Sequence, residues 1–360
     1  MADINLGETS IGDISLDGRL IGPKHPPFII AELSGNHNQD LSLAMSMIDE
    51  AAKAGAHAVK LQTFTADSMT LDVNTPDFVI QEQDSLWFGQ SLHALYKKAA
   101  TPYEWHKPLF DKAKSLGMLA FSSPFDEDAV DFLDELGVPC FKIASFELTD
   151  TPLIRKAASK NKPLIMSTGM ASLAEIELAV KTARDQGCED IILLKCTSTY
   201  PAQATNTNLA TIPNMQRAFN CQVGLSDHTA GVGVSIAAVA MGATVIEKHF
   251  VLDRDAGGVD AAFSLEPVEL TNLVIETKRA HQALGQVKYG GSQSEEQSKQ
   301  YRRSIYVSED IPAGQSLSSQ NLKIVRPAFG LAPKNWDGVM GKVAKQSLTK
   351  GTPLDWSMFE

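Results

Sequence analysis

From Phe28 onward, short runs of apolar, often β-branched residues alternate with longer stretches in which apolar residues return every three or four positions. The first kind of run predicts strands buried on both faces, and the second predicts amphipathic helices packed against them. Strand-like runs fall at 28–32, 58–62, 118–122, 140–144, 163–167, 191–195, 223–226 and 244–248. The helical period is plainest at 41–54, 101–116, 173–186 and 267–284. Eight strand–helix units are the number that closes a barrel. The pattern therefore predicts an α/β chain built on a (β/α)8 TIM barrel over residues 28–284. A doubly wound sheet would open on a G-x-G-x-x-G turn. Here the first strand runs into Ala31-Glu32-Leu33-Ser34-Gly35-Asn36-His37, and Gly231-x-Gly233 has Ile236 where a third glycine would stand.

The pattern changes on either side of the barrel. Residues 1–27 set Ile11, Ile14, Leu16 and Leu20 among polar and glycine neighbours, which predicts an N-terminal hairpin capping the barrel floor. Residues 285–303 are mostly Gly, Gln, Ser, Glu and Lys, the composition of a linker. Residues 304–360 begin with the strand-like Ser304-Ile305-Tyr306-Val307 and are punctuated by Pro312, Gly314, Pro327, Gly330, Pro333, Gly338 and Gly351. Such a β-rich piece is too small to bury much core, so it is expected to pack on the barrel or on a neighbouring subunit.

Composition adds two constraints. With 43% hydrophobic and 21% charged residues, the 360-residue chain has material for a large core, and its net charge of −11 argues against nucleic acid or an anionic membrane as partner. The first residues lack the basic-then-apolar order of an export signal. No apolar run approaches the roughly 20 residues that cross a bilayer. Cys140, Cys188, Cys196 and Cys221 form no C-x-x-C pair, which fits free thiols in a reducing compartment. A cytoplasmic protein is expected.

The chemistry is concentrated where the strands stop. In a closed barrel the carboxyl ends of all eight strands meet at one mouth, where barrel enzymes place their active sites. These ends supply Glu32, Lys60 and Gln62, Ser122 and Ser123, Lys142 with Ser145 and Glu147, Ser167 and Thr168, Lys195 with Thr197 and Ser198, Ser226-Asp227-His228, and Glu247-Lys248-His249. Any one of these is an ordinary loop residue, but a complete ring of them is not, because buried strands do not carry lysines without return. Lys60, Lys142 and Lys195, joined by small hydroxyls, are expected to form a ring of donors for a small, highly charged anion such as a phosphorylated carboxylate.

His228 and His249 are expected to come together as caps of adjacent strands, beside Glu32. The pair fits either a divalent ion acting as a Lewis acid or a structural role. His37 is placed within reach of a substrate, and the other histidines read as surface or packing residues. Cys196 lies near the mouth and reads as a buried thiol.

The strings Ala31-Glu32-Leu33-Ser34-Gly35-Asn36-His37-Asn38, Lys142-Ile143-Ala144-Ser145, Ser167-Thr168-Gly169-Met170, Ser226-Asp227-His228-Thr229, Glu247-Lys248-His249-Phe250 and Arg302-Arg303-Ser304 resemble the sialic acid synthase family. The segments Thr75-Pro76-Asp77-Phe78, Leu86-Trp87-Phe88-Gly89, Leu95-Tyr96 and Thr101-Pro102-Tyr103-Glu104-Trp105-His106, with Ser34-Gly35 and Ser145-Phe146-Glu147, are similar to its pseudaminic acid synthase branch. The resemblance covers nearly the whole chain. It implies that residues 304–360 form an antifreeze-protein-like (SAF) domain and that the subunits pair as a domain-swapped homodimer.

The resemblance also implies an activity: condensation of phosphoenolpyruvate with 2,4-diacetamido-2,4,6-trideoxy-L-altrose, with loss of phosphate by C–O cleavage. Carried over by position, the phosphoenolpyruvate contacts fall on Lys60, Ser123, Lys142, Ser145, Ser167, Ser198 and Ser226. Ser123 stands where threonine is usual in the family, and Ser198 where asparagine is. The sugar contacts fall on Glu32, Asn36, Gln62, Tyr200 and Asp260. Arg326 joins them from the partner's tail, although Ala328 nearby stands where glycine is common. Metal ligation falls on His228 and His249, with manganese expected first and magnesium or cobalt next. Catalytic roles fall on Glu147, Glu32 and Lys142, with Glu147 managing the proton of the water that adds to C2. Sibling synthases making N-acetylneuraminic or legionaminic acid, a Schiff-base barrel aldolase and a non-enzymatic sugar-binding protein remain as alternatives.

Overall fold

The computed structural model describes residues 11–83, 85 and 87–360. The first ten residues of the expected hairpin segment, and Leu86 of the Leu86-Trp87 string, lie outside the described residues. The chain divides between Gly285 and Gln286 into two compact units.

In the first unit a closed all-parallel barrel is formed by β3 (Phe28–Glu32), β4 (Ala58–Thr63), β5 (Leu119–Pro124), β6 (Phe141–Ile143), β7 (Leu164–Ser167), β8 (Ile191–Cys196), β9 (Gln222–Ser226) and β10 (Val245–His249). The seam closes with β10 beside β3, in a register that sets His249 against Glu32. An antiparallel hairpin, β1 (Ile14–Leu16) and β2 (Arg19–Ile21), precedes the barrel. Its Ile14, Leu16 and Ile21 join the barrel core. The Gln222 amide, at the start of β9, donates to the Gly12 carbonyl at 2.9 Å. This puts the hairpin at the end of the barrel opposite the mouth.

Each barrel strand leads to a helix. After β3 comes α1 (Leu41–Ala54). After β4 an insertion carries α2 (Ala66–Met69) and α3 (Leu92–Ala99) before α4 (Tyr103–Ser115). The rest follow in turn: α5 (Glu127–Glu135), α6 (Thr151–Ala158), α7 (Leu173–Arg184), α8 (Thr211–Phe219), α9 (Gly233–Ala240) and α10 (Pro267–Leu284). The helix starts are legible in the sequence. Asp40, Asp126, Asp150 and Ser172 each accept backbone N–H groups of the first turn of α1, α5, α6 and α7, which satisfies donors that have no partner inside the helix.

The string Thr101–His106 belongs to this scaffold. His106 in α4 faces the barrel and bonds the Thr63 hydroxyl at 2.8 Å, and Thr63 lies 2.6 Å from Ser122. His37 is fully buried, bonds Thr101 at 3.0 Å and packs edge-on against Trp105. The expectation that His37 reaches a substrate is therefore corrected. Desolvation holds both imidazoles near a pKa of about 4, and they act as neutral pins between strand and helix.

In the second unit, the segment expected to be a bare linker contains a short exposed helix, α11 (Gln293–Ser298). Beyond it β11 (Ser304–Val307) pairs antiparallel with β12 (Leu322–Val325), and α12 (Trp336–Val339) follows. Contrary to the expectation drawn from its size, this unit has its own core, including Ile305, Val307, Leu322, Leu348, Leu354 and Phe359. Gly330 makes one of its crossings possible, because a Cβ there would lie 2.2 Å from the Ile305 carbonyl oxygen.

Candidate active site

The strand ends enclose a cavity of about 610 Å³ lined by Lys60, Gln62, Lys142, Ser145, Glu147, Ser167, Cys196, Ser198, Tyr200, Ser226, His228, Glu247, His249 and Asp260, among others. Strand alternation decides which side chains face it. Successive residues of a strand point to opposite sides, so Lys60 and Gln62, or Glu247 and His249, share the inner face.

At the floor two lysines meet two carboxylates. The Lys142 ammonium lies 3.3 Å from Glu247 Oε1, and Lys60 lies 3.8 Å from the same oxygen while also pairing with Glu32. Ser226 donates to Glu247 at 3.2 Å, Gln62 to Glu32 at 3.2 Å and the Ser34 amide to Glu32 at 2.9 Å. Burial pushes the Glu247 carboxyl up, but Lys142 and Lys60 more than reverse this and hold it below the ordinary value. For Glu32 burial prevails and raises the pKa. Lys142 is lowered by burial. For Lys60, burial is outweighed by Glu247 and Glu32.

The lysine cluster is thus narrower than expected. Lys195 turns out of the barrel into a separate cleft with Thr168 and Thr211, where its ammonium donates to the Cys196 carbonyl at 2.8 Å and to the Thr197 hydroxyl at 3.2 Å. Ser123 accepts from Lys60 at 3.4 Å and braces that lysine. Asn36 does not line the cavity. Its amide donates to the Phe250 carbonyl at 3.0 Å and to Ser264 at 2.9 Å, and its oxygen accepts from the Asp260 amide at 3.1 Å. It therefore staples the loop that carries Asp260. Arg326 lies in the second unit, exposed at the end of β12.

Several groups in the cavity are buried with nothing in the protein to pair with. Among the described residues the Ser167 hydroxyl, one Glu247 oxygen, one Glu147 oxygen and His249 Nδ1 have no hydrogen-bond partner. Unpaired buried polar atoms are costly, and together they mark where a polar ligand belongs. Desolvation raises the Glu147 carboxyl to about 7.

The His228 and His249 rings are neighbours, tilted by 56° with centroids 5.3 Å apart. His228 Nδ1 is 3.0 Å from the Thr197 carbonyl oxygen, so it carries a proton and leaves Nε2 for a ligand. His249 is kept neutral by burial first, with the nearby Lys60 and Lys142 ammonium groups acting in the same direction. Its nearest carboxylate is Asp260, 3.6 Å from Nδ1. No group of three or more His, Cys, Asp or Glu side chains converges on one point among the described residues. The residues fit an ion held by two imidazoles, with its other positions left to water or substrate.

Tyr200 packs on His228 at 4.5 Å and on Phe263 at 5.2 Å. Cys196 Sγ lies 3.8 Å from His228 Nδ1. Burial pushes that thiol up, and the imidazole reverses the shift and brings it down to about 7. The sequence reading gave no role to Glu247 or to an apolar wall of the cavity formed by the insertion after β4. For Glu247 the signal was present, since its position two before His249 puts both on one face.

A closed parallel barrel whose mouth combines paired lysines, an unpaired hydroxyl and two adjacent imidazoles is the architecture of an enzyme acting on small, anionic substrates. The comparisons with known proteins narrow that class. A model of the NeuB family matches residues 47–289, and a model of the SAF domain matches residues 302–360. The chain is 42% identical to the pseudaminic acid synthase of Campylobacter jejuni, over 92% of this chain and 96% of that one. It is 38% identical to the N,N'-diacetyllegionaminic acid synthase of Legionella pneumophila, over 92% and 94%. Among solved structures, the N-acetylneuraminic acid synthetase of Leptospira borgpetersenii aligns with a TM-score of 0.71 at 35% identity, covering 80% of this chain and 95% of that one. The chain belongs to the NeuB family.

Proposed function

We propose that this protein is a cytoplasmic pseudaminic acid synthase, condensing phosphoenolpyruvate and water with 2,4-diacetamido-2,4,6-trideoxy-L-altrose to give pseudaminate and phosphate. The observation that carries the reading is the floor of the cavity, where Lys60 and Lys142 converge on one Glu247 oxygen, in one cavity with the unpaired Ser167 hydroxyl, His228 and His249. The choice of sugar follows the pseudaminic acid synthases among its relatives.

In this reading Lys60, Lys142, Ser145, Ser167, Ser198 and Ser226 hold phosphate and carboxylate, and Ser123 steadies Lys60. Gln62, Tyr200 and Asp260 take the sugar, whose aldehyde lies between the imidazoles and phosphoenolpyruvate, while Glu32, buried behind the lining, holds Gln62 and Lys60 in place. His228 and His249 would hold a divalent ion, manganese first, which would supply Lewis-acid polarisation of the aldehyde when bound. Held in position by the lysines, phosphoenolpyruvate gives the electron pair of its C2=C3 double bond to the aldehyde carbon, whose C=O pair moves to oxygen while C2 becomes electron-deficient. Water adds to C2 and gives one proton to Glu147, whose pKa suits transfer near neutral pH, and that proton is passed on to the former aldehyde oxygen, which becomes the new hydroxyl. The bond from C2 to the phosphate oxygen then breaks as the C2 hydroxyl becomes the ketone, and phosphate leaves with that hydroxyl's proton against Lys60 and Lys142.

The test is a panel of candidate sugars with phosphoenolpyruvate, read as phosphate release. Turnover preferring the diacetamido-trideoxy altrose supports the assignment, and preference for the legionaminic precursor or N-acetylmannosamine reassigns it to a sibling. Lys142, held low by burial, is also the kind of amine that forms a Schiff base. Borohydride trapping of pyruvate on the protein would favour that chemistry instead.

The exposed Arg326 is proposed to complete the site of a partner subunit in a homodimer. Inactive Arg326→Ala and inactive His249→Ala proteins, mixed so that subunits exchange, should recover about a quarter of the activity. Absence of recovery would count against a shared site.

A further inference from the structure

The cavity changes character across its width. The charged and hydroxyl groups occupy the floor, while the wall contributed by the insertion between β4 and α4 presents Phe64, Met69, Ile80, Leu92, Leu95 and Ala99. Phe64, Leu95 and Ala99 are buried, and Met69, Ile80 and Leu92 are half-buried. Phe64 is anchored by edge-on contacts with Tyr96 at 5.9 Å and Phe125 at 5.2 Å. The insertion's polar atoms in the lining belong to Glu82, which is exposed, and to Ser85, Trp87 and Tyr96, which are half-buried, the last two presenting mostly aromatic ring. The Trp87 indole nitrogen donates to the Val259 carbonyl at 3.3 Å, tying the insertion to the loop that carries Asp260.

A hydroxyl pressed against such a wall gives up its bonds to water and gains none, whereas a methyl group gains from leaving water. We infer that this apolar wall is the specificity surface for the acceptor sugar, selecting methyl-bearing positions, namely the deoxy terminus and the acetamido methyls, over hydroxylated ones. The inference rests on the proposed function, because the floor holds the reacting end of the sugar and directs its substituents toward the wall. The insertion therefore acts as the discriminating element, while the floor provides chemistry common to any acceptor aldehyde.

The experiment compares kcat/KM for the 2,4-diacetamido-2,4,6-trideoxy sugar with that for its 6-hydroxylated counterpart, in the parent and in Met69→Gln and Leu92→Gln. The ratio between two sugars is independent of the fraction of protein that is folded and active. The parent is expected to prefer the deoxy sugar by roughly 10- to 100-fold. Each variant is expected to cut that preference by about tenfold while the KM for phosphoenolpyruvate stays constant. A parent ratio near one, or variants that keep the full preference, would overturn the inference. If a variant is inactive toward both sugars, the parent ratio alone decides. A parent that turns over no diacetamido sugar refutes the proposed function itself, which is a distinguishable result.

Discussion

The Lys248 ammonium stands 3.1 Å from the Asp227 carboxylate, out of water, on the outer side of the strand wall whose inner side carries His249. The same ammonium donates to the carbonyls of Thr229 at 2.6 Å and Gly231 at 2.9 Å. Asp227 in turn accepts from Thr229 and from the Ser235 hydroxyl at 2.6 Å. The loop holding His228 is thus tied down from behind. Changing Lys248 to Met leaves a buried carboxylate unpaired, at a cost of about 3–5 kcal/mol. The melting temperature should fall, and manganese affinity measured calorimetrically on the purified protein should weaken by about tenfold or more. A lower melting temperature with unchanged metal affinity would show that the pair supports the fold without positioning His228.

Glu147 predicts a pH profile. Its carboxyl is raised by burial from 4.5 to about 7, and the proposed step needs the ionised form to take a proton from water. Turnover should therefore rise with pH through about 7, and Glu147→Gln should remove that limb along with most of the activity. Stability should move the other way. A carboxyl whose folded pKa lies above its unfolded value destabilises the fold as pH climbs from about 4.5 through about 7. Glu147→Gln should thus be more stable than the parent at pH 8, by on the order of 3 kcal/mol, and nearly equal to it at pH 5. Equal melting temperatures at both pH values would refute the raised carboxyl.

The barrel was legible because periodicity reports burial directly. All eight strands lie within two residues of the expected runs, and 41–54 and 267–284 coincide with α1 and α10. The site was legible only as far as its polar strand ends. Which of two neighbouring residues faces inward depends on strand parity, so Lys195 was expected in the mouth when it is Cys196, one residue on, that lines it. Asn36 and His37 follow the first strand as closely as a ligand-binding residue would, yet both are spent on holding loop and helix in place. The apolar wall could not be read at all, because residues 64–99 carry no strand or helix period long enough to say which side chains turn toward the mouth.

Gly169 separates binding from folding. Its amide donates to Ser145 Oγ at 3.2 Å, and a Cβ at this position would lie 2.1 Å from Ser198 Oγ and 2.8 Å from Ser145 Oγ. Gly169 does not need the left-handed backbone region, so alanine introduces no backbone strain there. The whole effect falls on two hydroxyls at the edge of the cavity. Displacing groups at a reacting centre by about 1 Å costs roughly 100-fold. Gly169→Ala should therefore lose about that much in kcat/KM for phosphoenolpyruvate with little change in melting temperature. Gly224→Ala provides the contrast, since a Cβ there would lie 2.3 Å from the Val245 carbonyl oxygen inside the strand wall. It should lower the melting temperature sharply. If Gly169→Ala instead unfolds the protein while keeping the KM for phosphoenolpyruvate, the Ser145–Ser198 corner supports the barrel and does not hold the substrate.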